Sequence, residues 1–293
     1  MGVIERDPHT GHGTTGHEWN GITELNTAVP WVVWAFLIAA VLFSITWWIL
    51  MPAWPLGATY TKGVLGTSVR QDVAASLQVT AGQRAAWTSR VDREDYAAIL
   101  ADKGLMTDVR EAGHALFGDN CAACHGANAK GSKGFPNLTD RAWLWGGDPA
   151  TVFQTIRVGV NADHPDTRVS QMPAWGRDGM LDRKGVLDVV AYVETLSHPG
   201  AGKSDLGGNA QAGRKVFADN CAACHGPAAK GDTKTGAPDL TDAVWLYGGD
   251  AQSIYESVYG GRQGHMPSWE QRLSPTQRKI VALYILDLGR GSK

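Results

Sequence analysis

The four cysteines of this 293-residue chain all lie in two copies of one pentapeptide, Cys-Ala-Ala-Cys-His, at residues 121–125 and 221–225. C-x-x-C-H is the attachment signature of c-type haem. Two thioether bonds hold the porphyrin, and the histidine that follows them binds the iron. The pattern therefore predicts two covalently bound haem c groups. The residues that hold them are Cys121, Cys124 and His125 for the first haem, and Cys221, Cys224 and His225 for the second.

Three other kinds of site use paired cysteines: a structural zinc site, a thioredoxin-like redox pair and a disulfide. A zinc site needs four converging ligands, whereas the two motifs are far apart in the sequence and each lies inside its own repeat. A redox pair belongs in a βαβ context, which the sequence does not show. None of the three explains why a histidine follows both motifs, so haem attachment is the interpretation that accounts for the whole pentapeptide.

The motifs lie within a longer internal repeat. Residues 136–140 (Pro-Asn-Leu-Thr-Asp) match residues 238–242 (Pro-Asp-Leu-Thr-Asp), and residues 172–175 (Met-Pro-Ala-Trp) match residues 266–269 (Met-Pro-Ser-Trp). Because the matching segments follow one another in the same order, each copy is predicted to be one domain.

The repeat sets the expected domain boundaries. Residues 105–199 form the first haem domain, 200–209 a linker and 210–293 the second haem domain. The first copy has a longer polar stretch before its methionine, at residues 159–171. We interpret this stretch as a surface loop, which is either a tolerated insertion or a docking feature that makes the two haem domains inequivalent.

The sixth iron ligand is expected to be a methionine. Met172 and Met266 occupy equivalent positions in the repeat, and each is followed by a proline, which fixes the backbone of a ligand loop. Methionine ligation raises the reduction potential of a c-type haem. Met180 is expected to serve packing, and His164 and His265 are the rival distal ligands.

The pairing of ligands is open at this stage. The default is pairing within a domain, which joins His125 to Met172 and His225 to Met266. A pairing that is swapped between the domains uses the same residues and is not distinguished by the sequence.

The repeats are predicted to be helical. One helix precedes each motif, at residues 107–120 and 210–220, and another follows each methionine loop. The last helix begins with a capping box, in which Ser274 is the N-cap, Pro275 the first helical residue and Gln277 the third. No convincing strand pattern is present, so the fold class is all-α.

Two glycines indicate how the helices pack. Gly113 and Gly213 lie four residues before Phe117 and Phe217, where a glycine lets the first and last helices cross closely. The order G-x-x-x-F, C-x-x-C-H, M-P resembles the class I cytochrome c fold. The resemblance covers both repeats and implies two tandem cytochrome c-like domains.

A membrane anchor is predicted near the N-terminus. No charged residue occurs between Glu24 and Lys62, and residues 29–52 are long enough to span a bilayer as one helix. Pro52 and Pro55 end this helix, and tryptophans near both ends are typical of membrane interfaces. A cleaved signal peptide would have a shorter apolar run and a shorter leading segment.

The side of the membrane follows from haem chemistry, because bacteria attach haem c on the outer face of the cytoplasmic membrane. Residues 1–28 are therefore expected to be a flexible cytoplasmic tail. Residues 53–104 are expected to be a periplasmic connector with a short helix at 92–101, followed by periplasmic haem domains. This tail contains His9, His12 and His17. They could bind a metal, but a flexible polar tail without a metal is the favoured interpretation.

Composition limits the function. A net charge of −2 and an isoelectric point near 6.5 indicate no strong electrostatic field for nucleic acid binding. The sequence shows no nucleophile with a base, no phosphate loop and no oxygen-reducing metal cluster. One-electron transfer is the chemistry that remains, and any enzymatic activity is expected to belong to a larger oxidoreductase complex.

The N-terminal third carries a more specific resemblance. Residues 19–26 (Trp-Asn-Gly-Ile-Thr-Glu-Leu-Asn), Pro30-Trp31 and residues 60–66 (Tyr-Thr-Lys-Gly-Val-Leu-Gly) resemble the N-terminal block of the CcoP/FixP family. Members of this family are membrane-anchored dihaem subunits of cbb3-type cytochrome c oxidase. Some members have two N-terminal helices, whereas this chain shows one.

The resemblance implies a place in bacterial respiration. Electrons from a soluble cytochrome c or the bc1 complex enter the dihaem subunit and pass to a monohaem subunit. They then reach the haem-copper catalytic subunit, which reduces oxygen and pumps protons. Two other functions are possible for a dihaem cytochrome: a subunit of a membrane-bound dehydrogenase, and a haem-based sensor or assembly factor.

Overall fold

The computed structural model describes residues 6–197 and 204–291, and this part of the chain is mostly helical. It forms two compact units, Met1–Gln83 and Arg84–Lys293. In chain order the elements are β1 (Thr14–Trp19), β2 (Ile22–Leu25), α1 (Trp31–Leu50), α2 (Val69–Arg93), α3 (Tyr96–Ala101), α4 (Lys103–Asn120), α5 (Ala122–His125), α6 (Pro149–Val158), α7 (Arg183–Ser197), α8 (Ala210–Asn220), α9 (Ala222–His225), α10 (Ala251–Gly260) and α11 (Pro275–Gly291).

The N-terminal tail contains a small antiparallel sheet. Trp19 of β1 pairs with Ile22 of β2, and Asn20 and Gly21 form the turn between them with φ values of 51° and 85°. Both values lie in the left-handed region that a type I′ turn requires. Residues 14–25 thus form a hairpin that the sequence interpretation did not include, and the fold as a whole is mostly helical as predicted.

Helix α1 has the length and composition of a membrane span. Its 20 residues extend about 30 Å at a rise of ~1.5 Å per residue, which is the thickness of a bilayer core. None of its residues is buried within the protein. Among the described residues it is the one helix that is long and apolar enough to cross a membrane. The predicted span at residues 29–52 contains it.

The connector is more helical than expected. Residues 69–93 form the 25-residue helix α2, which the sequence interpretation missed, and the short helix α3 starts at Tyr96 rather than at residue 92. The Asp95 side chain caps α3 by accepting a hydrogen bond from the Ala98 backbone N–H. Helix α2 is rich in alanine, arginine and glutamine, which are good helix formers, and this was the overlooked signal.

The helices flanking the haem motifs agree with prediction. Helix α8 has the expected bounds, and α4 starts earlier than expected, at Lys103. The capping box of α11 is confirmed: the Gln277 N–H donates to Ser274 Oγ, and the Ser274 N–H donates to Gln277 Oε1.

Each of the two haem-motif cores is built from both repeats. Helix α4 of the first repeat packs against α11 of the second, and α7 of the first packs against α8 of the second. Phe117 accordingly shares a core with Ile285, and Val190 shares the other core with Phe217. The last helices of the repeats have exchanged places, so neither 105–199 nor 210–293 encloses a core by itself.

Glycines allow these close crossings, as the sequence predicts, but the crossings join different repeats. A Cβ atom on Gly113 would lie 2.6 Å from the Cβ of Tyr284, and one on Gly213 would lie 2.9 Å from the Cβ of Tyr192. Real Cβ contacts are rarely so short, so only a glycine at position 113 lets the backbone of α4 lie against the Cβ of Tyr284 on α11. Between α8 and α7 the approach is closer still, because the Cβ on Gly213 would also lie 2.5 Å from the carbonyl carbon of Asp188.

Candidate haem sites

Each C-x-x-C-H motif folds as a single helical turn directly after a longer helix. His125 ends α5, and its Nδ1 lies 3.1 Å from the carbonyl oxygen of Pro136. His225 ends α9, and its Nδ1 lies 3.1 Å from the carbonyl oxygen of Pro238. Because a carbonyl only accepts hydrogen bonds, Nδ1 carries the proton in each ring and Nε2 is left with a free lone pair for a metal.

The charge state of these histidines suits metal binding. Burial lowers the pKa of His125 and of His225, against the opposing effect of the hydrogen bond to the proline carbonyl. The neutral imidazole, which is the ligand form, is thus favoured. The sequence interpretation gave no role to Pro136 and Pro238, although their place at the same point in both repeats was a signal.

The cysteines are free thiols before haem attachment. Burial raises the pKa of Cys121 and of Cys221 to about 11, and the second cysteine of each motif adds to the shift. Cys124 and Cys224 are exposed. Each motif therefore has one inward-facing and one surface thiol. Over residues 6–197 and 204–291, no three His, Cys, Asp or Glu side chains converge as a zinc site would require.

The methionine loops are bound by backbone hydrogen bonds to the opposite repeat. The Met266 N–H donates to Val160 O and the Val160 N–H donates to Met266 O, both at 2.9 Å. Met172 and Arg262 make the equivalent pair of bonds, at 2.8 and 3.0 Å. Each methionine is therefore fixed to the segment that follows the third helix of the other repeat.

Packing around the sulfur-bearing side chains shows the same exchange. Met266 packs against the core that contains Cys121 and Phe117, and Met172 packs against the core that contains Cys221 and Phe217. Each methionine loop therefore packs with the core that flanks the motif of the other repeat. Helices α7 and α8 are close in sequence and pack together, which keeps the first methionine loop beside the second motif.

The rival distal ligands are engaged elsewhere. His164 Nε2 lies 2.6 Å from Glu270 Oε2, and His265 Nδ1 lies 2.9 Å from the backbone oxygen of Asn161. Met180 is 47% exposed, so the expectation that it serves packing is wrong.

The surroundings of the motifs fit a haem. A cleft of about 570 Å³ is lined by equivalent residues of both repeats, among them Pro136, Trp143, Pro238 and Trp245. Trp245 Nε1 is buried without a hydrogen-bond partner, as is Nη2 of Arg262. Buried donors of this kind need acceptors, and the carboxylates of a porphyrin are suitable acceptors, while the prolines and tryptophans suit its apolar faces.

Two arginines escaped the sequence interpretation. Arg168 and Arg262 stand four residues before Met172 and Met266. Arg168 lies over the Trp145 ring at 5.0 Å, and Arg262 lies over the equivalent Tyr247 ring at 4.3 Å. Each arginine lies the same number of residues before its methionine, and this shared sequence spacing was the signal that could have identified them.

Comparisons with known proteins match three segments of the chain. Residues 11–58 match the N-terminal domain of cytochrome oxidase-cbb3, FixP, residues 110–197 match cytochrome c, and residues 208–285 match cytochrome c oxidase, cbb3-type, subunit III. The chain is 46% identical over 288 residues to a cbb3-type cytochrome c oxidase subunit FixP of Bradyrhizobium sp. (strain ORS 278), and the match covers 98% of each chain.

Two further relatives carry the name CcoP. The subunit of Cereibacter sphaeroides is 41% identical over 280 residues, which is 95% of each chain. A subunit of Rhodobacter capsulatus is 44% identical over 289 residues, which is 95% of this chain and 96% of the relative. The chain belongs to the CcoP/FixP family.

This CcoP/FixP-family chain is thus a membrane-anchored electron-transfer subunit of a cbb3-type cytochrome c oxidase. Its two cytochrome c domains carry covalently bound haem c. The family resemblance, the two haem cofactors and the electron-transfer function predicted from the sequence are confirmed. Its partners are other subunits of the oxidase.

Proposed function

We propose that each haem iron is bound by a histidine of one repeat and a methionine of the other. His125 pairs with Met266 on the haem attached to Cys121 and Cys124. His225 pairs with Met172 on the haem attached to Cys221 and Cys224. The observation that carries this proposal is the pair of reciprocal backbone bonds that fixes each methionine loop to the opposite repeat.

With both axial positions filled by protein ligands, the two haems pass electrons and leave oxygen to another subunit. A thioether ligand favours Fe(II) and raises the potential, which suits acceptance of electrons from a soluble cytochrome c or the bc1 complex. From here the electrons pass to a monohaem cytochrome c subunit and then to the haem-copper catalytic subunit. The haem domains lie in the periplasm of a bacterium, and the N-terminus lies on the cytoplasmic side of the inner membrane.

The pairing is tested in the full chain with Cys221→Ser and Cys224→Ser, which leaves only the haem of the first motif. Ferric haem with a methionine ligand has a weak far-red charge-transfer band. Adding Met266→His should abolish this band, whereas adding Met172→His should preserve it. Met180→Ala, which changes an exposed methionine, is the matched control and should also preserve it. Loss of the band with Met172→His and its survival with Met266→His would establish pairing within each repeat.

The respiratory role is tested by purification from membranes without harsh detergent. The partner chains are identified, and oxygen uptake is measured with a reduced cytochrome c as donor. Uptake should be present and should fall in Met266→His, because a second histidine ligand lowers the potential of that haem. Recovery of the chain with a dehydrogenase and without an oxygen-reducing subunit would contradict the proposal.

A further inference from the structure

The two methionine loops are held by different side chains at equivalent positions. Four residues after Met266 stands Glu270, whose Oε1 lies 2.9 Å from Nη1 of Arg157 at the end of α6. Four residues after Met172 stands Gly176, which packs on the ring of Tyr259 at the end of α10. An ion pair on one side thus corresponds to an aromatic–glycine contact on the other.

The polar loop that only the first repeat possesses completes the ion pair. His164 of this loop has a side chain that is 9% exposed, and its Nε2 lies 2.6 Å from Glu270 Oε2. The Asp166 backbone N–H donates to His164 Nδ1 at 3.0 Å. Because Nδ1 accepts, Nε2 carries the proton and donates to the carboxylate. Arg157 also binds Asp166 Oδ2 at 3.1 Å, which closes a ring of four residues.

A second contact fixes the same loop two residues after the methionine. The Ser268 hydroxyl donates to the backbone oxygen of Arg157 at 2.7 Å. The equivalent residue after Met172 is Ala174, which has no hydroxyl. The Met266 loop is therefore bound to the first repeat by the side chains of Ser268 and Glu270. The equivalent residues of the Met172 loop, Ala174 and Gly176, have no polar side chain.

We infer that His164, Arg157 and Glu270 are positioning residues that hold Met266 on its iron, and that the polar loop exists to complete this clamp. The consequence is an inequivalence between the haems: an external ligand displaces Met266 less readily than Met172. The inference rests on the proposal that both methionines are iron ligands. It does not depend on which of the two irons Met266 binds.

The test uses the full dihaem chain carrying Met172→His, so that the far-red band reports Met266 alone. Imidazole is titrated against the ferric protein, and the concentration that removes half of the band is measured. Glu270→Gln should lower this concentration about tenfold, because a neutral amide cannot hold both His164 Nε2 and Arg157 as a carboxylate does. His164→Asn should also lower this concentration. Glu270→Asp, which keeps a carboxylate, should lower it less than Glu270→Gln does.

Two controls separate a clamp from general destabilisation. Asp178→Asn removes an exposed carboxylate near the Met172 loop, which binds its neighbour Arg177 at 3.1 Å, and should leave the titration unchanged. In the reciprocal Met266→His background, Glu270→Gln should not alter the displacement of Met172. Equal effects in both backgrounds, or no effect in either, would overturn the inference. Absence of the band in the Met172→His parent would instead refute methionine ligation by Met266.

Discussion

The exchange of helices between the repeats predicts which residues are energetically coupled. In Gly113→Ala, the new Cβ would lie 2.6 Å from Cβ and 2.8 Å from Cγ of Tyr284. Ordinary carbon contacts are ~3.5–4.0 Å, so the overlap is about 1 Å. The nearest atom is the root of the side chain and cannot swing away, so α4 and α11 must separate.

The expected loss of stability follows from this overlap. Overpacking of a core costs ~1–3 kcal/mol, and an overlap at the helix backbone belongs at the upper end. Alanine regains about 1 kcal/mol of helix propensity over glycine. The net loss is about 2 kcal/mol, which lowers the melting temperature by about 4–8 °C for a unit of this size.

A double-mutant cycle on the detergent-solubilised full chain measures the coupling through thermal melting of the haem absorbance. Gly113→Ala combined with Tyr284→Gly, which removes the Cβ that the new methyl group meets, should be less harmful than the sum of the single changes, by about 1 kcal/mol or more. Gly113→Ala combined with Tyr192→Gly should be additive within about 0.5 kcal/mol. Gly213→Ala should show no coupling to Tyr284→Gly, because its new Cβ meets the backbone of Asp188 and the Cβ of Tyr192. Coupling of Gly113 to Tyr192 in place of Tyr284 would refute the exchanged packing.

Three further predictions concern the methionine loops and the anchor. Hydrogen bonds from His164 and then Arg157 lower the pKa of Glu270. The ionised Glu270 carboxylate should therefore stabilise the Met266 loop fully above the unfolded pKa of about 4.3, and this stabilisation should be lost as pH falls through the lower folded pKa. A Met266 far-red band that already fades as pH falls to neutral would contradict the clamp. Gly261→Ala places a Cβ 2.5 Å from Met172 O at a φ of +69°, which should weaken the Met172 band, whereas Gly260→Ala, with open space around it, should not. Leu37→Arg in α1 should cost about 2.5–3.5 kcal/mol of membrane insertion and reduce the membrane-bound fraction in cell fractionation, while Thr23→Arg before the span should have no such effect.

Much of the site was predictable because covalent chemistry and repetition restrict it. The two C-x-x-C-H motifs predict six haem-binding residues, and the repeat indicates which two methionines, Met172 and Met266, are the candidate iron ligands. Local signals were also sufficient for the start of α11, where Ser274 and Gln277 cap the helix as expected.

The exchange itself could not be chosen from the sequence. Gly113 meets Tyr284, and Gly213 meets Tyr192; within each repeat the same pair of residue types is also available. Both pairings therefore satisfy the same packing requirement, and only the three-dimensional path of the chain decides between them.

The missed elements had different causes. The hairpin at the N-terminus had a local signal in Asn20-Gly21, but its strands are exposed and lack a buried alternating face. Helix α2 has only Val91 buried, so its apolar periodicity was weak and only its propensity indicated a helix. In both cases local turn or helix chemistry, rather than burial, determines the element.

The shared cores have a consequence for the order of assembly. Phe117, next to the first haem motif, packs with residues up to Ile285, near the end of the chain. A nascent chain that ends after the first repeat therefore lacks the last helix of its first core and the methionine loop bound beside Val160. The first core therefore cannot be completed until synthesis is almost finished. The second core ends at Val258, so it can close before the first one.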